Sequence, residues 1–283
     1  MSPLPNLAPQ FMLIGERLDA NREEFRTRLS ERDSAFVAGE VRKQQQAGVS
    51  HLNVSAGAGP KQTNDTLWLL GAILPVLGAN IGLMLTSSES PECMARALEY
   101  IKGRANTIVS AVTNDPPRIG AFAQLAVQHS AGLVAVLDQV RGAPASKLEK
   151  RATMALTPFE RMAAAEQLHG AIAAFGIPDE RIYFDPQVLP LAFETSMPLK
   201  VLESFAALRK RFPGVHLLAG VSNVSFNLPR RALLNRTYLA MLIAAGADAI
   251  LCDPCDARLR ETLLAARALA GKDDFLTDYL ASM

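Results

Sequence analysis

HLLAGVSNVSFNLPRRALLNRTYLAM, residues 216–241, is the stretch whose reading decides the fold. An apolar run ends in a polar loop holding Ser222, Asn223, Ser225 and Asn227. Two arginines follow, and then a helical pattern begins. Amides and hydroxyls gathered at a strand end are costly unless something pairs with them. Strand, loop and helix also make one unit of an α/β fold, and the rest of the chain repeats it.

Working outward, short apolar runs recur at 11–15, 49–54, 80–85, 106–112, 132–137, 181–185, 215–221 and 247–252. They are nearly continuous, as strands covered on both faces are. Amphipathic stretches lie between and after them, at about 33–47, 63–77, 91–101, 117–130, 157–175, 197–211, 230–245 and 257–272. Gly48, Gly132, Gly176 and Gly246 follow helical runs, where C-terminal caps sit. Pro91, Pro117 and Pro158 fall near helix starts, where a missing amide costs little. Eight such units predict a closed (β/α)8 TIM barrel over residues 11–283 as a single domain, with 1–10 as a flexible tail. The competing open doubly wound sheet would want a glycine-rich phosphate loop after the first strand and a break between two halves. The sequence offers neither.

Composition narrows the function. Twenty-nine basic and 28 acidic residues give a net charge of +1, which argues against a nucleic-acid or membrane-surface binder. Arg22, Arg26 and Arg28 alternate with Glu23, Glu24 and Glu31, the pattern of a solvated helix face. No apolar stretch is long enough to span a bilayer, and MSPLPNLAPQ lacks the form of a signal peptide. Three cysteines, at 93, 252 and 255, make no disulfide framework and suit a reducing, cytoplasmic setting. Cys252 and Cys255 form C-x2-C without a second pair, and zinc wants about four ligands, so no metal is expected.

In a barrel the chemistry gathers at the C-terminal strand ends. Here these carry Glu16 and Arg17, Asn53 and Ser55, Thr86 and Ser87, Ser110 and Asn114, Asp138, Asp185, Asn223, and Asp253. Asp185 closes the run RIYFD, with Pro186 stiffening the turn. Its carboxylate can accept two donors from an amino-substituted heterocycle, or it can cap neighbouring loop amides. Asn223 offers donor and acceptor without charge, which suits a ring nitrogen that changes protonation; the plainer reading is an amide that shapes the loop. Asn53 fits either part. Arg231 reads equally as the holder of an anionic tail or as cover for a helix face. His51 and His216 lie in or beside strands and read as structural, and His129 and His169 as helix-surface or packing residues. Met84, Met94, Met154 and Trp68 read as packing.

The blocks LIGERLD (13–19), HLNVSAG (51–57), RIYFDPQVLP (181–190), SNVSFN (222–227), LLNRTYLAM (233–241) and ADAILCDPCD (247–256) lie in order along nearly the whole chain. In them the chain resembles the pterin-binding methyltransferases, which move a methyl group between methyltetrahydrofolate and a corrinoid protein. Those proteins share a barrel with dihydropteroate synthase and the folate domain of cobalamin-dependent methionine synthase. The resemblance implies a dihydropteroate synthase-like (β/α)8 barrel, commonly a homodimer, with tetrahydrofolate or 5-methyltetrahydrofolate as substrate. It implies Asn223 beside the reacting N5 and Asp185 on the pyrimidine edge as the catalytic pair. The pterin-holding set is then Glu16, Asn53, Thr86, Ser110, Asp185, Gly220, Ser222, Asn223, Phe226 and Arg231. The cobalamin is expected on a separate corrinoid-binding partner, since no D-x-H-x-x-G run appears in the chain.

Three positions depart from that pattern. Thr86 stands where the family's third strand ends in aspartate, Ser110 where the fourth presents asparagine, and Phe226 where the late loop commonly has glutamine. Removing a buried charged acceptor from a ligand donor can cost ~2–5 kcal/mol. Two alternatives therefore stay open: a methyltransferase using a different pterin or small methyl carrier, and a non-catalytic homologue that docks the corrinoid protein. Dihydropteroate synthesis fits less well, because the late loop has no lysine for a diphosphate leaving group.

Overall fold

A computed structural model of the chain describes residues 11–86, 90–137 and 157–281. The expectations for the tail at 1–10, for Ser87, for Asp138 and for Met154 lie outside these residues. Eight parallel strands close into a barrel in chain order, with β8 pairing back to β1. In sequence they are β1 (Met12–Asp19), β2 (His51–Ser55), β3 (Gly82–Thr86), β4 (Thr107–Val112), β5 (Gly132–Val136), β6 (Ile182–Asp185), β7 (His216–Gly220) and β8 (Ala249–Cys252).

Helices alternate with them: α1 (Glu23–Ser30), α2 (Ser34–Gln46), α3 (Gln62–Ile73), α4 (Pro91–Tyr100), α5 (Pro116–Gln128), α6 (Pro158–Ala173), α7 (Met197–Arg211), α8 (Arg231–Ala244) and α9 (Ala257–Leu269). A short α10 (Thr277–Ala281) follows. No helix among the described residues is long and apolar enough to cross a membrane.

Each strand buries two faces, which explains the continuous apolar runs. Met12, Ile14, Met84, Ile108, Val134, Tyr183, Leu218 and Ala249 pack together inside the barrel. Leu52, Val54, Leu83, Phe122, Phe184 and Phe205 belong to the larger core between strands and helices. Side-chain caps define several helix starts: Asp33 accepts from Phe36 N at 2.9 Å, Ser90 from Cys93 N at 3.1 Å and Asp256 from Leu259 N at 3.2 Å. Thr157 and Glu160 form a reciprocal capping box at α6.

Two expectations are corrected. Gly48, Gly176 and Gly246 hold the positive φ of caps, but Gly132 does not. Ser130, at φ 52°, takes that position after α5, and Gly132 opens β5 instead. A side chain there would meet the Tyr183 ring at 2.5 Å, so glycine is required by packing. The first strand also does not stop at residue 15. A register irregularity between Gly15 and Leu18 lets β1 continue to Asp19, so Glu16 and Arg17 lie within it.

Candidate active site at the barrel mouth

An open cavity of about 760 Å³ lies at the C-terminal mouth, between the ends of β1, β7 and β8. Six of the ten predicted binding residues line it: Glu16, Gly220, Ser222, Asn223, Phe226 and Arg231. Its size falls in the range of small-molecule sites. The other four, Asn53, Thr86, Ser110 and Asp185, stand on the remainder of the rim, at or near the ends of β2, β3, β4 and β6.

The polar loop after β7 folds into a 3-10 turn, Val221–Ser225. Arg231, from the start of α8, ties it down. Its Nε donates to Ser225 Oγ at 3.0 Å and its Nη2 to the Ser222 carbonyl at 2.9 Å. Asn223 folds back over the end of β7, and a Cβ at residue 220 would stand 3.1 Å from its Nδ2. Glycine at 220 gives that amide its room.

Glu16 forms the facing wall. Its side chain is only 14% exposed, and its carboxylate accepts from Ser222 Oγ at 3.0 Å. Burial pushes its pKa up to about 7, against the lowering effects of Ser222 and Arg22. Asp253 and Asp19 push it in the same upward direction as burial. Arg17 is committed elsewhere: it pairs with Glu40 and donates to Asp253 at 2.8 Å. Arg22 is shared, 3.8 Å from Glu16 and 3.6 Å from Asp253.

From β2 to β4 the rim residues are neutral. Thr86 Oγ1 donates to Asn53 Oδ1 at 2.7 Å, and Ser110 is the register partner of Thr86 on β4. At β6, Asp185 accepts from Gln187 N at 2.8 Å, which fixes the turn that carries it. The loop-capping and ligand-facing readings of Asp185 are thus compatible, since a carboxylate has acceptor capacity beyond one such bond.

Sequence reading missed two arginines that hold strand ends. Arg161 of α6 is fully buried, donates through Nε to the Pro186 carbonyl at 2.8 Å and interacts electrostatically with Asp185. Arg118 of α5 donates through Nε and Nη2 to the Ala111 carbonyl at 3.0 and 2.8 Å, beside Ser110. A signal for Arg161 did exist. It shares the core-facing stripe of α6 with Ala164, Ala165, Leu168 and Ile172, at helical spacing.

The histidines lie away from this cavity. His51 and His216 border a second cavity at the floor of the barrel, where Tyr183 stacks on His216 with ring centroids 4.6 Å apart. Burial, with His216 nearby, pulls His51 down to about 4. His169 bonds Asp179 at 2.7 Å on the helical outside. Cys252 is buried in β8, and burial raises its thiol pKa well above the ordinary value. Among the described residues, no cluster of three or more His, Cys, Asp or Glu could hold a metal.

Comparison with known proteins matches the same span. A family model described as pterin binding enzyme covers residues 15–253. The chain is 24% identical over 271 residues to a methylcorrinoid:tetrahydrofolate methyltransferase of Eubacterium limosum, covering 95% of this chain and 94% of that one. It is 26% identical over 248 residues to methionine synthase of Mycobacterium tuberculosis, covering 84% of this chain and 20% of that larger protein. Among solved structures, a dihydropteroate synthase of Coxiella burnetii in complex with pteroic acid superposes with a TM-score of 0.67 at 14% identity, over 92% of this chain and 94% of that one. The chain belongs to the pterin-binding enzyme family.

Proposed function

From that membership we propose that this protein transfers a methyl group between N5 of tetrahydrofolate and the cobalt of a separate corrinoid protein. The carrying observation is the mouth cavity in which Asn223, Ser222 and Glu16 converge. The name of the Eubacterium limosum relative, which aligns nearly end to end, supports the same reaction.

The chemistry suits such a site. An amine leaves a methyl group readily only when its nitrogen is protonated. The barrel needs no nucleophile of its own, because the corrinoid cobalt attacks the methyl group; it has to position the pterin and match the charge at N5. The cobalt of the partner's corrinoid takes or gives the methyl group as a substrate. Asn223 would track the change at N5, Asp185 would accept donors from the pyrimidine edge, and Phe226, exposed at the rim, offers an aromatic face to a flat ring. Homodimer assembly and a cytoplasmic setting belong to the same reading.

The neutral β2–β4 rim supports the second reading, a different methyl carrier on the same barrel. Thr86 supplies no charge where the resemblance implies aspartate, and Ser110, beside it, a hydroxyl where it implies an amide. Calorimetric titration with 5-methyltetrahydrofolate separates the two. Micromolar binding that weakens at least tenfold in Asp185→Ala, ~1.4 kcal/mol, supports the folate. No binding at millimolar ligand overturns it in favour of another carrier.

A further inference from the structure

We propose that Glu16 is the acid–base residue that exchanges a proton with N5 during methyl transfer. This rests on the proposed function and deepens it, because an amide such as Asn223 can follow the charge at N5 but cannot supply the proton.

The geometry argues for Glu16 over the other titratable groups at the mouth. It lines the same cavity as Asn223, and its carboxylate is bonded to Ser222, the residue immediately before Asn223. Asp185 is engaged in its own turn by Gln187 N, Asp253 is held by Arg17, and Asp256 caps α9. His51 and His216 are at the other end of the barrel.

Two cations line the cavity with Glu16, and both are shared: Arg231 is bonded to Ser225 Oγ and the Ser222 carbonyl. From the loop after β1 comes Arg22, at 3.8 Å and shared with Asp253. Asp19 on β1 and Asp253 after β8 are like charges, Cys252 of β8 is a buried thiol, and Ser222 after β7 is neutral. Glu23 and Glu24 of α1 line the same cavity and add no positive charge. Beyond His51, β2 carries only Leu52, Asn53, Val54 and Ser55. A carboxyl so placed holds its proton to about pH 7, where a general acid and its conjugate base are both available.

The step balances in both directions. From the methylated pterin, the Glu16 carboxyl gives its proton to N5. Cobalt(I) then attacks the methyl carbon with its electron pair, and the C–N bonding pair stays on N5, which keeps the proton as a secondary amine. Glu16 is left as carboxylate and recovers a proton from water. In reverse, the N5 lone pair takes the methyl group, the cobalt–carbon pair returns to cobalt, and the proton on N5 passes to the Glu16 carboxylate.

The test is single-turnover methyl transfer from 5-methyltetrahydrofolate to cob(I)alamin across pH 5.5 to 9, on wild type, Glu16→Gln and Glu16→Asp. Folate binding is measured by calorimetry in parallel, and thermal melts check folding. General acid–base help is worth ~10²–10⁴-fold. The wild-type rate is expected to fall above about pH 7. At saturating folate, Glu16→Gln should transfer at least 100-fold more slowly at pH 6 and lose that fall. Glu16→Asp should keep a shifted fall and part of the rate, and it carries the test should Glu16→Gln not fold. A Glu16→Gln rate within threefold of wild type, with the same pH profile, would overturn the role of Glu16 and leave the methyltransferase reading standing. Failure of wild type to bind folate would overturn both.

Discussion

The two ends of the barrel carry cavities of nearly equal volume, about 760 Å³ at the mouth and 790 Å³ at the floor. Each holds a buried titratable group, and the two are displaced in opposite directions. At the mouth, burial lifts Glu16 to about 7; at the floor, burial and His216 drop His51 to about 4. Both groups are thereby neutral around pH 6. The difference is in what surrounds them. His51 sits with Ser50, which bonds its Nδ1 at 3.0 Å, beneath Met12 and Ile108. Glu16 sits among Asn223, Ser222 and further carboxylates, Asp19 and Asp253 among them, on an open cavity. The floor is polar as well, with Asn80, Arg104, Asn106, Thr107, Glu180 and Arg181 on its lining, whereas the mouth gathers several carboxylates around Asn223.

The largest effect should break this symmetry at the mouth. Asn223→Ala is expected to lower the single-turnover methyl-transfer rate by ~10²–10³, as loss of one preorganised polar contact to a charge-changing centre does. His51→Asn at the floor should leave that rate within threefold. Equal losses from both variants would show that the mouth is not the reacting end.

Stability sharpens the contrast next. An unfolded glutamate releases its proton near 4.5, but folded Glu16 keeps it to about 7. The folded state therefore binds more protons in that window, and this carboxyl costs stability as pH rises through it. Replacing it by Gln removes that cost. Glu16→Gln should be more stable than wild type at pH 8, by roughly 2 kcal/mol, in urea unfolding. A gain in stability with a loss of rate is the signature of a group kept for function.

His51 gives the opposite sign. Free imidazole protonates near 6.5, the buried ring only near 4. Between these values the unfolded chain binds more protons, so stability falls as pH drops from 6.5 toward 4, by at most roughly 3 kcal/mol. In wild type the Glu16 contribution runs the other way over most of that range and flattens the profile. Urea midpoints of Glu16→Gln should therefore climb steeply from pH 4.5 to 6.5 and then level. A flat profile in that variant would show that His51 does not set the acid limb.

The same comparison shows what could be read from sequence. The eight units were legible because both faces of each strand are apolar and the helices repeat at their own period. Glu16 is legible as a site residue, although β1 runs past it to Asp19, but its proton affinity is not. That depends on Ser222, 206 residues away, and on Asp253 after β8, brought to it only by barrel closure. For Arg231 the sequence allows two uses, and barrel closure adds a third, holding the turn that carries Asn223. Arg161 was hidden by its type. An arginine in a helix reads as surface unless its place on the apolar stripe is counted, and here it is wholly buried under the Asp185 turn.

Arg161→Met tests that hidden support. The Pro186 carbonyl would lose its donor, and an unmet buried acceptor costs ~1–3 kcal/mol. With the Asp185 turn loosened, the KM for methyltetrahydrofolate should rise five- to tenfold while the saturated rate stays within threefold. A pure stability loss with unchanged KM would confine Arg161 to packing.

The smallest expected effect concerns the neutral side of the mouth, where Thr86 donates to Asn53 and Ser110 stands beside it. Thr86→Asp with Ser110→Asn restores the pattern implied by the resemblance. The new carboxylate would accept pterin donors that a hydroxyl serves poorly, and charge-assisted bonds are about twice as strong as neutral ones. Part of that gain is offset, because the introduced carboxylate replaces the hydroxyl donor that now satisfies Asn53 Oδ1. The net expectation is methyltetrahydrofolate bound three- to tenfold more tightly, about 1 kcal/mol, by calorimetry. Weaker folate binding in the double variant would mean that Thr86 and Asn53 act together on a different ligand edge. The two sides of the mouth would then differ in substrate, not only in charge.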